Sequence, residues 1–275
     1  MYTDSHNHTC HFSPDAEMSI SDLFTYAVKA KLPRIAITEH YDDDYPHDLD
    51  DGKPQKFDLN QFNESFQIWK KLCPETLDLT MGIEIGYQEH LVNRIDNIAS
   101  TLPFDSIILS NHLFEGKDVY FYPECYKKYD KATLHKLYVE QLAKMAEDVN
   151  NYNIIGHYDY INRYCKKRNL TVKYEDCPKE FDRLFEALIS KEKSLEINTR
   201  SIHKNIQKKN ASFMPDKDIL LRYKQMGGKM LTLGSDSHTT NTLGIHFEET
   251  GEYLKSLGFE CNYYFKAGKP YEEAL

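Results

Sequence analysis

Seven times along the chain a short apolar stretch is followed by a helical one, and a histidine or an acid stands at or just past the end of almost every apolar stretch. That order marks parallel βαβ units. The strands expected are Thr3–Thr9, Arg34–Thr38, Leu77–Glu84, Ser106–Ser110, Asn153–Ile155, Leu195–Ile197 and Met230–Leu233. The helices expected are Ile20–Lys31 behind a Ser19 cap, Asp58–Leu72, Glu89–Leu102, Lys131–Val149, Pro178–Lys191, Pro215–Gln225 and Phe247–Leu257. Around Tyr263-Tyr264-Phe265 the tail has only an edge-strand pattern. Six strands present a His, Asp or Glu near their C-terminal ends, and the sixth in order presents Arg200. An open doubly wound sheet uses two or three loops at a switch point, whereas a closed barrel draws its functional groups from the whole C-terminal rim. The spread over all seven strands predicts an α/β fold, a distorted (β/α)7 barrel of TIM-like type.

The 275 residues suffice for such a barrel, and no Pro/Gly/Ser-rich linker divides them, so one domain over 1–275 is expected. Net charge is −9, from 34 Lys and Arg against 43 Asp and Glu. Such a surface repels nucleic acid and anionic lipid, but bound divalent cations would reverse the sign locally and admit a small anionic substrate. No apolar run reaches the roughly 18 residues of a membrane span, and no export signal opens the chain, so a cytoplasmic location is expected. The six cysteines are scattered without a Cys-x-x-Cys pair, which indicates neither a disulfide framework nor a zinc knuckle.

His6 and His8 are i, i+2 neighbours on an expected strand, roughly 6.6 Å apart along it, so both side chains leave the same face. Added to them on the same rim are His40, His112, His157 and His238, with the carboxylates of Asp15, Glu84 and Asp236. Single members have ordinary readings as hydrogen-bonded core residues or caps. Together they are a costly set of desolvated polar groups unless cations neutralise them, which predicts a multinuclear metal site.

The motifs Asp4-Ser-His6-Asn-His8, Thr38-Glu39-His40, Gly82-Ile-Glu84, Ser110-Asn-His112, Gly156-His157-Tyr-Asp159 and Gly234-Ser-Asp236-Ser-His238 resemble, in order, those of the PHP (polymerase and histidinol phosphatase) superfamily. The resemblance spans about residues 1–240 and implies a distorted barrel holding up to three divalent metal ions. It implies that His6, His8 and Asp236 hold the first ion and that Glu84 bridges to a second held by His112 and His157. Asp15, His40 and His238 would hold the third. The segment Thr9-Cys-His11-Phe-Ser-Pro-Asp15 carries one residue more than the family pattern, which leaves His11 as an alternative to Asp15. His/carboxylate sets accept Zn, Mn or Fe according to supply.

A cluster of this kind suits phosphoester hydrolysis, because divalent ions activate water near neutral pH and clamp the oxygens of an in-line displacement. Arg163 after strand five and Arg200 at the end of strand six have the fork geometry for phosphate, and both resemble the phosphate-binding arginines of histidinol-phosphate phosphatases. Glu84, Asp236 and His238 are the expected catalytic residues, and the proton for the leaving oxygen is expected from Asp159, His238 or a metal-bound water. The function implied is hydrolysis of L-histidinol phosphate. A nucleotide, sugar phosphate or phosphotyrosyl protein is the alternative substrate, and a non-catalytic metal-binding domain the alternative class. For the cationic amine of histidinol phosphate the expected partners are the acidic loop Asp42–Asp44 and Asp48–Asp51, or Glu115, with Tyr41, Tyr45 or Tyr120 stacking on the ring.

Overall fold

The computed structural model describes residues 2–46, 55–166 and 170–275; the expected acidic run Asp48–Asp51 lies outside them. In chain order the elements are α1 (Ile20–Lys29), β1 (Arg34–Ile37), β2 (His40–Tyr41), α2 (Leu59–Leu72), β3 (Asp78–Gly86), α3 (Val92–Ala99), β4 (Ser106–Ser110), β5 (Leu113–Phe114) and β6 (Lys117–Asp118). There follow α4 (Cys125–Lys128), α5 (Lys131–Asp148), β7 (Ile154–Ile155), α6 (Tyr160–Arg163), α7 (Pro178–Ser190), β8 (Ser194–Asn198), α8 (Thr199–Gln207), α9 (Lys217–Gln225), β9 (Leu231–Gly234), α10 (Phe247–Ser256), β10 (Cys261–Lys266) and β11 (Lys269–Ala274).

The parallel order is β1-β3-β4-β7-β8-β9, and β2 continues along β3 beyond β1, with His40 opposite Glu84. Residues 3–9 close the ring. Asp4 N–H donates to Arg34 O (3.1 Å) and Ala36 N–H to Asp4 O (2.8 Å) on one side; on the other, Ser5 N–H donates to Leu233 O (3.0 Å) and Asp236 N–H to His6 O (2.8 Å). The expected (β/α)7 barrel is therefore present, with its first strand reduced to isolated bridges at Asp4 and Asn7. The outer face of the sheet packs on amphipathic helices: Ser19 caps α1 in a reciprocal box with Asp22, and Leu23, Phe24 and Ala27 turn inward.

Besides the short β2, β5, β6, α4 and α6, which lie outside the expected elements, two larger features differ from expectation. The tail forms a hairpin, β10–β11, whose Ala267-Gly268 turn has φ of 50° and 72°, the two left-handed positions of a type I′ turn. Phe265 packs with Ile108 and Ile154, and Ala267 and Gly268 N–H groups donate to Asp105, so the hairpin stoppers the N-terminal end of the barrel. Helix α8 follows β8 without a loop. Asn198 ends the strand and caps the helix, accepting from Arg200 N–H (3.1 Å), so Arg200 belongs to a helix rather than to a strand end.

Asp78 at the start of β3 ties three elements together, receiving Arg34 Nε (2.9 Å), Lys70 Nζ (3.0 Å) and Lys266 Nζ (3.0 Å). Burial alone would raise its pKa; the bonds from Arg34, Lys266 and Lys70 outweigh it and hold the pKa at about 2. A depressed folded pKa contributes stability above the ordinary carboxylate range, lost as pH falls through about 2. Asp78→Asn is expected to cost about 1–2 kcal/mol in urea unfolding at pH 7, allowing for the half-exposed lysines, and less at about pH 3.

Candidate metal centre

The strand ends deliver their polar residues to one buried cluster, centred on the Glu84 carboxylate. His6 and His8 share a face of the first segment, His112 follows β4 by two residues, His157 follows β7 by two, and Asp236 and His238 lie just beyond β9. Glu84 Oε2 stands 2.7 Å from His40 Nδ1, 3.3 Å from His6 Nε2 and 3.5 Å from His8 Nε2. Its other oxygen stands 2.9 Å from His157 Nε2 and 3.3 Å from His112 Nε2. Five imidazoles therefore crowd one carboxylate.

Hydrogen bonding accounts for one side of this packing only: Glu84 Oε1 accepts from Ser110 Oγ (2.6 Å) and lies within bonding reach of His157 and His112. His6 Nε2, His8 Nε2, His40 Nδ1 and Glu84 Oε2 are buried and lack a hydrogen bond despite their closeness, which costs about 1–3 kcal/mol for each unpaired group. Nitrogen and oxygen lone pairs converging without shared protons fit coordinated cations. Three groups have ligand atoms close enough for a common ion: His6, His8 and Asp236; His40, Glu84 and His112; and His8, His40 and His238. The first is the expected trio. The second adds His40 to Glu84 and His112, while the expected His157 keeps its Nε2 2.9 Å from the same carboxylate; His40 can serve two groups because Nδ1 faces Glu84 and Nε2 faces His238 (3.3 Å). Asp15 Oδ2 lies 2.9 Å from His238 Nε2, whereas His11 Nε2 accepts from Ile20 N–H and its ring lies against Trp69.

A ring of outer partners orients these ligands, and sequence reasoning missed most of it. Glu196 on β8 takes His6 Nδ1 (2.7 Å) with one oxygen and the His157 backbone N–H (2.6 Å) with the other. Asp42 takes His112 Nδ1 at 2.7 Å. The two Nδ1 bonds fix the tautomers of His6 and His112 and turn their Nε2 atoms toward Glu84. Alternation was the available signal: Glu196 shares a strand face with Asn198, and Asp42 shares one with His40. A Cβ on Gly234 would collide with Glu196 and His6, and one on Gly86 with Asp42, so both positions require glycine. Glu39 accepts from Thr9 N–H (3.0 Å), Thr9 Oγ1 and Ser13 Oγ (2.5 Å), anchoring the turn that leads to Asp15; burial lifts its pKa to about 7 even so. For Glu84, burial pushes the pKa up, but His6, His112 and His40 outweigh it and keep the group well below the ordinary carboxylate range.

Above the cluster opens a cavity of about 390 Å³. From one wall come both arginines: Arg163 Nη1 bonds Asp236 Oδ2 (2.5 Å), and Arg200 Nη1 bonds Asp236 Oδ1 (3.1 Å) and His238 Nδ1 (2.7 Å). Ser201 accepts from Arg163 (3.3 Å) and donates to Asp159 (2.8 Å). Asp159 is absent from the cavity lining, so it orients Arg163 rather than facing a leaving group.

The opposite wall departs from expectation. Asp43 is paired with Lys56 (2.6 Å) and Arg94, Asp44 with His90 (2.8 Å), and Tyr41 is buried against Phe57. Glu115 sits in the Glu115-Gly116 turn between β5 and β6, φ 52° and 74°, and faces outward to Lys128 (2.7 Å) and Tyr129 (2.5 Å). Reversal at that turn brings Asp118 into the cavity instead, where it accepts from Tyr45 (2.8 Å) and Tyr160 (2.9 Å), with Tyr120 beside it.

The family model for the PHP domain matches residues 4–200. The chain belongs to the PHP domain family. This PHP protein is 30% identical to a histidinol-phosphatase from Lactococcus lactis subsp. lactis strain IL1403, over 93% of this chain and 91% of that one. A Clostridium acetobutylicum protein bearing the name "Probable histidinol-phosphatase" is 29% identical, over 90% of this chain and 91% of that one. In three dimensions the PHP protein superposes with a TM-score of 0.84 on the Lactococcus lactis histidinol phosphate phosphatase solved with zinc, L-histidinol and phosphate; identity is 29%, covering 98% of both chains. A structure from Listeria monocytogenes, 16% identical, shares the fold with a TM-score of 0.75 over 90% of this chain and 99% of that one. The chain is thus a phosphatase of the PHP type with histidine and carboxylate groups suited to metal. No helix among the described residues is long and apolar enough to cross a membrane.

Proposed function

We propose that this protein is a phosphomonoesterase that hydrolyses L-histidinol phosphate to L-histidinol and phosphate, acting in the cytoplasm through one domain spanning residues 1–275. The observation that carries the reading is the polarity of the cavity: two guanidinium groups line one wall and a buried carboxylate among tyrosines lines the other. A phosphate ester with a cationic amine several bonds away matches both walls. The zinc, L-histidinol and phosphate held by the Lactococcus lactis relative support the same reading.

His6, His8, Asp15, His40, Glu84, His112, His157, Asp236 and His238 are proposed to hold up to three divalent ions, Zn, Mn or Fe, with Glu84 as the bridge. Such ions, when bound, supply an activated water and neutralise phosphate charge. The remaining work falls to side chains. Arg163 and Arg200, already on the carboxylate of Asp236, hold the phosphate oxygens with parallel N–H donors and stabilise charge as the ester bond breaks. Asp118 accepts from the substrate ammonium, and Tyr120 and Tyr160 flank the imidazole. Burial raises the Asp118 pKa, and a cationic substrate group beside it opposes that shift and favours the ionised form.

Comparing kcat/KM for L-histidinol phosphate with that for a neutral alkyl phosphate of similar size tests the reading. Wild type is expected to prefer L-histidinol phosphate, and Asp118→Asn to lose about 10- to 100-fold of that preference, the worth of one charge-assisted hydrogen bond. Asp43→Asn and Asp44→Asn should leave it intact. Absence of any preference in wild type would sink the substrate assignment.

A further inference from the structure

Away from the central cluster, two more histidines meet between α8 and the start of α10. His203 Nδ1 stands 3.2 Å from His246 Nε2, and the ring planes differ by 30°. Both side chains are half-buried, so the gap between them borders solvent. We propose that His203 and His246 form a separate peripheral site for a divalent transition metal, with water completing the coordination. This inference is independent of the phosphatase reading.

The geometry suits such an ion. Two imidazole nitrogens bound at about 2.0–2.1 Å with a tetrahedral angle between them lie about 3.3 Å apart, close to the spacing the two elements already impose. The outer partners are also in place. Gln207, one turn along α8, puts its amide 2.9 Å from His203 Nε2, and Glu249, one turn into α10, puts Oε1 3.7 Å from His246 Nδ1. A ligating imidazole donates its other N–H to just such an acceptor; the Glu249 carboxylate is one, and the Gln207 amide becomes one by turning its oxygen to the ring. Without an ion the same groups form a chain in which Gln207 donates to His203 and His203 to His246. The backbone of His246 adds a second mark: φ is 62°, a left-handed conformation that costs a non-glycine residue free energy and needs compensation from its surroundings. The charge of Lys204, next to His203, opposes the ion, so the site should fill after the central cluster.

An ion here would tie α8, which carries Arg200 and Ser201, to α10. The test is metal analysis of tag-free wild type, His203→Ala and His246→Ala after dialysis against the same excess of zinc, with melting temperature as a second readout. Each variant is expected to keep the central ions and hold one ion fewer than wild type. Added zinc should raise the melting temperature of the zinc-loaded wild type more than that of either variant. Equal metal counts in all three proteins would overturn the proposal, and so would an equal rise in melting temperature.

Discussion

Glu84→Ala and Glu84→Gln are expected to keep the barrel, judged by circular dichroism, while losing bound metal and cutting phosphatase kcat/KM by about 10³-fold or more, on the order of 4 kcal/mol of transition-state stabilisation. Glu84 is the group on which five imidazoles converge, so its loss removes the carboxylate that His40 and His112 share and the negative charge beside the other two groups. Folding does not depend on it in the same way. The Glu84 backbone stays in register with Ile108 and His40, and the hydrophobic core lies on the other face of the sheet. A Glu84 variant with wild-type metal content would remove Glu84 from the centre of the site.

The arginines are expected to separate binding of phosphate from binding of metal. Arg200 is 23% exposed at the side chain and reaches the cavity from the first turn of α8, so Arg200→Ala should retain metal and lose about 2–4 kcal/mol in kcat/KM for any phosphate monoester. Arg163 is 1% exposed and forms a buried ion pair with Asp236. Arg163→Ala should lose catalysis to a similar extent and, unlike Arg200→Ala, also lower stability by about 3–5 kcal/mol, because the partner charge stays buried. Kinetics unchanged in Arg200→Ala would reduce that residue to an ion pair on the rim.

Much of this is legible in the sequence. The strand–helix alternation gave the barrel, because short β-branched runs and capped amphipathic helices carry their own signals, and the motif order brought the histidines to one rim. What escaped depends on direction rather than on position. Glu196 lies between Leu195 and Ile197 and reads as part of an apolar strand; only the barrel shows that its face looks inward to His6. Glu115 and Asp118 are three residues apart, and the turn between β5 and β6 decides which of them faces the cavity. Helix α8 has Ile202 and Ile206 as its only large apolar residues and begins without a loop, so its pattern is thin. In the tail, an Ala-Gly turn lacks the Asn-Gly signature of a type I′ hairpin, and the stopper role of Phe265 follows from contacts with Ile108 and Ile154, both distant in sequence.

The most direct measurement is phosphate release from L-histidinol phosphate by one preparation assayed as purified, after chelation, and after zinc, manganese or iron is returned. Turnover in the first sample, its loss in the second and its return in the third are the expected results. No phosphate release from the metal-replete protein, or release that persists unchanged once the metal content has fallen to zero, would contradict a metal-dependent histidinol phosphate phosphatase.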